Sequence, residues 1–147
     1  MKTLEIGSVS SGTMRLEDLI PTFLDATDEL REELAPEDIE SINIIKNAMK
    51  KEGYFESEDA QYDLEWLFEL LNSLCPPYCY FGSHPGDGAD YGVWVEDDLE
   101  EVFEWPIVND LSEIAAEYEG EVLHRKDDYT YALYEKKGGV FELIWEI

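Results

Sequence analysis

The sequence predicts an α+β fold: N-terminal helices packed on one face of a C-terminal antiparallel β-sheet, within a single domain spanning residues 1–147. Two observations carry that expectation. From about residue 13 to 75 apolar residues recur at the three-and-four spacing of amphipathic helices, whereas from about 78 to 147 β-branched and aromatic residues fall in short runs between Gly and Asp. A third observation bounds it, because 147 residues with 44% apolar and 13% aromatic content suffice for one sizeable core and exclude a largely disordered chain.

In chain order, residues 3–9 read as a short strand, and Ser10, Ser11, Gly12 and Thr13 as a loop that supplies capping oxygens. Leu16, Leu19, Ile20, Phe23, Leu24 and Leu30 then mark a helix over about 14–34, with Pro21 expected to kink or restart it. Ala35-Pro36-Glu37-Asp38 places proline and two acids at the start of a second helix, where the missing N–H costs nothing and the dipole favours negative charge. It runs to Lys51 along the stripe Ile39, Ile42, Ile45 and Met49, with Gly53 available as a left-handed cap. Ser57 opens a third helix whose core face is Ala60, Leu64, Leu67, Phe68, Leu71 and Leu74, and Pro76-Pro77 ends it.

Strands are expected at 78–81, 91–95, 121–125, 129–135 and 140–147, with a short helix at 97–104 and a further helical turn near 112–118. Leu99, Val102 and Phe103 would face inward from the short helix. Turns at Asp127-Asp128 and Lys136-Lys137-Gly138-Gly139 make the last three strands an antiparallel meander.

Charge excludes several functions. Against 36 Asp and Glu stand 10 Lys and Arg, a net charge of -26, so unaided binding to nucleic acid or to an anionic membrane is electrostatically unfavourable and any partner should be basic. The segment 52–124 holds 20 acids and no Lys or Arg, which leaves those acids without basic neighbours in the chain. A folded chain of this mass exposes roughly 7,700 Å², or about 210 Å² per acid, against on the order of 100 Å² per phosphate of duplex DNA. A phosphate-like surface therefore requires clustering. The sequence clusters acids at Glu58, Asp59, Asp63, Glu65 and Glu69 on the third helix, and at Glu96, Asp97, Asp98, Glu100, Glu101 and Glu104. Carboxylates at i and i+4, as in Asp59–Asp63 and Glu65–Glu69, form rows about 6 Å apart on a rigid support. Tyr62 among them is a candidate aromatic anchor.

No signal-like apolar segment opens the chain, and its apolar runs, such as 66–71, are short, so a soluble cytoplasmic protein is expected. Cys75 and Cys79 make no disulfide framework, and one pair lacks the partners of a structural zinc site, so both read as reduced core thiols. Neither Gly-x-x-x-x-Gly-Lys nor Gly-x-Ser-x-Gly occurs, and His84 and His124 are the only histidines, which argues against an enzyme and against a cofactor.

Residues 80–94, rich in glycine, read as two strand ends around a long hairpin loop at 83–90, where His84, Asp87 and Asp90 form the alternative site. That loop would serve a ligand- or protein-interaction module with an incidental acidic face, or an enzyme using a divalent metal. It lacks the Asp ladder and closing Glu of an EF-hand. Adaptation to high salt also explains acidity, although seven Lys to three Arg is not the balance expected of it.

In size, charge and absence of a catalytic motif, the chain resembles the small DNA-mimic proteins with which phages and plasmids block restriction enzymes, CRISPR effectors and other nucleic-acid-binding defences. The stretch 80–94 is similar to a segment of small acidic proteins of phages and mobile elements. The first resemblance implies an anti-restriction or anti-CRISPR inhibitor that does not itself bind nucleic acid. The second implies a phage-like source and hence the cytoplasm of a bacterial host.

Overall fold

The computed structural model describes residues 2–147, which form an α+β fold of helices and two separate sheets. Two compact units make up the chain, Met1–Val95 and Glu96–Ile147. The boundary follows the second strand of a hairpin, so the first unit takes the three long helices together with a sheet of its own.

That unit contains β1 (Gly7–Ser10), α1 (Leu16–Glu29), α2 (Pro36–Ala48), α3 (Glu58–Ser73), β2 (Cys79–His84) and β3 (Asp87–Val95). The sheet order is β1-β3-β2 with both pairings antiparallel. Phe81 pairs with Val93 and Ser83 with Tyr91, so Phe81, Val93 and Tyr91 share the face that meets the helices. Phe23 of α1 lies at the centre, its ring edge-on to Phe81 at 5.1 Å, Phe68 at 5.2 Å and Tyr91 at 6.0 Å. The sheet that the helices cover is thus β1-β3-β2. The expected packing of helices on one face of an antiparallel sheet is present in this unit, where the sheet includes the hairpin that follows α3.

The helix signals act largely as expected. Pro21 sits inside α1 without breaking it. It forgoes one intrahelical hydrogen bond, but Leu19, Ile20, Phe23 and Leu24 around it are at most 2% exposed, and their burial holds the helix together. Thr13 accepts from Arg15 N and donates to Asp18, tying down the entry to α1. The expected extension to residue 34 is instead a separate 3-10 turn, Arg31–Glu33. Gly53 takes the left-handed conformation with φ 80°, and Ser57 accepts the Ala60 amide as the cap of α3.

The second unit holds α4 (Leu99–Val102), β4 (Ile107–Val108), β5 (Gly120–Arg125), β6 (Tyr131–Lys137) and β7 (Val140–Glu146). The expected meander is present: β5-β6-β7 are antiparallel, and the short β4 adds to β5 in parallel. Asp127 accepts the amides of Tyr129 and Thr130 in one turn, while Gly138 and Gly139 carry φ of 60° and 79° in the other. Leu123, Leu133 and Trp145 stand in register across three strands, all buried.

Three expectations are corrected here. The helix at 97–104 shortens to the single turn of α4, where Leu99 and Phe103 are buried but Val102 is 47% exposed. Residues 112–118 form no α-helix, only the 3-10 turn Leu111–Glu113 and a turn in which Ala115 O accepts the Tyr118 amide, while Lys136 donates to the Ala115 and Ala116 carbonyls at 2.7 and 2.8 Å. Lys136 itself belongs to β6 rather than to a turn, buried to 5% exposure and 5.6 Å from the Phe141 ring.

Candidate partner-binding surface

α3 supports the first acidic row. Ala60, Leu67 and Leu71 point into the core with essentially no exposure. The opposite stripe, at spacings of four, three and four, is therefore Glu58, Tyr62, Glu65 and Glu69, all exposed. Neighbours at this spacing lie about 5–6 Å apart, so carboxylates bracket the Tyr62 ring on both sides. Asp59 and Asp63 lie to one side of the stripe. Asp59 is exposed, whereas Asp63 is half-buried and accepts the Tyr54 hydroxyl at 2.7 Å. Burial, and then that hydrogen bond, push the Tyr54 phenol above its ordinary pKa.

On the side of α3 that carries Asp59 and Asp63, α2 brings up Ile44, 62% exposed although it is a large aliphatic residue. Two adjoining depressions of about 440 and 330 Å³ share Ile44, Tyr62 and Asp63, and together they form a groove between α2 and α3. Ile44 lies off the Ile39–Ile42–Ile45–Met49 stripe, and that displacement is the sequence signal that would have marked it.

The second acidic row divides by role. Glu96, Asp97, Asp98, Glu101 and Glu104 are exposed around α4. Glu100 is committed within the unit: it pairs with Arg125 and accepts the Tyr131 hydroxyl at 2.8 Å. Glu100 has no Lys or Arg near it in the chain, as expected across 52–124, and β5 brings Arg125 to it from beyond that segment. Trp105 and Val102, 50% and 47% exposed, put apolar surface among these carboxylates.

The sheet of the second unit contributes a row that sequence reasoning missed. Glu121 is opposite Glu135, and Glu135 is opposite Glu142. Three carboxylates thus cross three strands at about 4.8 Å per strand, the closest regular acid spacing on a rigid support.

The hairpin site is built differently from the expected loop. β2 and β3 continue to His84 and Asp87, which face each other across a two-residue Pro85-Gly86 turn, so 83–90 is mostly strand. One glycine of the hairpin serves close approach: Gly92 pairs with Gly82, and a Cβ on Gly92 would overlap the Gly7 carbonyl oxygen. His84 Nδ1 accepts the Gly86 amide at 2.9 Å, and the ring stands edge-on to Trp94 at 4.7 Å. Asp87 accepts the Ala89 amide, and Asp90 accepts the Ser8 hydroxyl. Each of the three polar side chains serves its own stretch of backbone or a neighbouring strand. Among the described residues, no group of three or more His, Cys, Asp or Glu side chains is arranged to hold a metal ion. Cys75 and Cys79 lie half-buried against the core of the first unit, Cys75 donating to the Leu71 carbonyl.

Electrostatically the surface is unbalanced. Ion pairs join Arg15 to Glu17, Lys46 to Asp28, Arg125 to Glu100 and Lys126 to Glu146. Even if every Lys and Arg neutralised one acid, 26 carboxylates would remain, and Lys136 spends its charge on carbonyl oxygens instead. Among the described residues no helix is long and apolar enough to cross a membrane. No protein-family model, curated protein or solved structure matches this chain.

Proposed function

We propose that the chain is a non-enzymatic inhibitor that offers carboxylates in place of phosphates and occupies the DNA- or RNA-binding site of a basic host protein. Clustered carboxylates carry this reading: Glu58, Glu65 and Glu69 in a row along α3, five exposed acids in and around the single turn of α4, and the Glu121–Glu135–Glu142 row across three strands. A protein that neutralises phosphates with Lys and Arg would meet the same charges here, without bases to read. Tyr62 and Trp105 add the exposed aromatic surface from which interfaces draw short-range affinity. The fitting targets are restriction enzymes, CRISPR effectors and other nucleic-acid-binding defences of a bacterial cytoplasm.

The test is capture from a bacterial lysate on the immobilised chain, followed by elution with duplex DNA, structured RNA or salt. Release of a nucleic-acid-binding protein by DNA or RNA is the expected result. Capture that ignores both polymers and salt sinks the reading. Lys in place of Asp97, Asp98 and Glu101 should abolish capture, while Glu100 is left intact because it holds Arg125 and Tyr131.

A further inference from the structure

We infer that the groove between α2 and α3 takes an arginine side chain of the basic partner, carried beside an aliphatic residue. This rests on the proposed function, in that the partner is basic, but it assigns one place and one side-chain chemistry. The groove combines two surfaces that the acidic rows alone do not. One is apolar: Ile44 and Tyr62 are 62% and 66% exposed, and Trp66 lines the floor half-buried. The other is anionic, from Asp59 and Asp63 in the same wall, and Asp63 is held in place by the Tyr54 hydroxyl at 2.7 Å.

Charge complementarity therefore selects a cation, and the apolar part selects which one. An ammonium is compact and strongly hydrated, so it gives up more hydration than a guanidinium to sit on an exposed phenol ring. A guanidinium is planar and weakly hydrated, so it stacks on Tyr62 while its N–H fork reaches a carboxylate of the wall. A neighbouring aliphatic residue then covers Ile44. Lys51, three residues beyond the end of α2, also lines the groove and opposes a second cation at that end.

The experiment uses the full chain, isotope-labelled, at about 0.15 M salt. It is titrated with a peptide of three Gly-Leu-Arg repeats and with its Gly-Leu-Lys counterpart. Saturable shifts of the Ile44 methyl and Tyr62 ring signals are expected, with the arginine peptide bound about five-fold more tightly than the lysine peptide. Ile44→Ser with Tyr62→Ser, both at exposed positions, should remove that preference and leave the remaining spectrum unchanged. Equal affinity for the two peptides, or shifts spread over the acids of both units, overturns the groove assignment while the acidic-surface reading stands. Absence of saturable binding by either peptide overturns it too, and the wider reading is then judged separately by release of captured lysate protein with DNA or RNA.

Discussion

At Gly92 a single hydrogen atom decides whether β1 can join its sheet. A Cβ there would overlap the Gly7 carbonyl and stand 2.8 Å from the Ser8 Cα, both backbone atoms that cannot swing aside. Gly92→Ala should therefore cost about 1–3 kcal/mol, read as a lower urea midpoint, with protection lost first at the β1 amides. Full stability in that variant would mean that β1 is not paired as described. Tyr54 makes a second single-residue case. Its phenol is held neutral in the fold, by burial first and by the Asp63 hydrogen bond second, so its pKa lies above that of the unfolded chain. Below the ordinary tyrosine value near 10 this contributes its full stability, and the contribution is lost as pH rises beyond it. Tyr54→Phe should leave a shallower decline of stability above pH 10 than the native chain shows, measured by denaturant midpoints across that range.

Strand register carries the clearest element-scale consequence. The two turns of the meander fix which residues meet, and they bring Glu121, Glu135 and Glu142 into one row. Like charges directly opposite are unfavourable, so Glu142→Lys should stabilise the second unit by about 0.2–1 kcal/mol, seen as a raised melting temperature. No gain would mean that the row is already neutralised. Half of that row was legible in principle: counting outward from Gly138-Gly139 pairs Glu135 with Glu142, whereas a two-residue turn at Asp127-Asp128 would set Glu121 against Tyr134, and only the longer turn seen in the fold, closed by Lys126 and Thr130, sets it against Glu135. The helices were legible because Ser57, Pro36 and Gly53 act locally, as caps and first-turn residues, whatever surrounds them. Residues 83–90 misled because Gly and Asp read as loop, although only Pro85-Gly86 turns and the residues on either side pair as strand, and the glycine that the close approach of β1 requires is Gly92, just beyond that segment. The pairing of Arg125 with Glu100 and the burial of Lys136 depend on tertiary neighbours, and no local pattern announces them. Tyr62 was found because its helical spacing aligns it with acids, while the exposure of Ile44 and Trp105 came only with the fold.

For the molecule as a whole, a net charge of -26 opposes folding and assists encounter with a basic partner, and salt separates the two effects. Raising ionic strength shortens the screening length from about 10 Å at 0.1 M to about 3 Å at 1 M, so repulsion among fixed carboxylates fades. The melting temperature should therefore rise with salt, equally in NaCl and KCl because no particular cation is needed. Association with the captured partner should slow over the same range, since steering by the field is lost. Glu65→Lys with Glu69→Lys should mimic both effects at fixed salt, because these acids sit exposed on the outer stripe of α3. A chain made more stable and less able to associate by the same two substitutions holds its acidity for recognition, not for folding. If the two substitutions lower stability instead, those carboxylates are supporting the helix, and the row on α3 is structural.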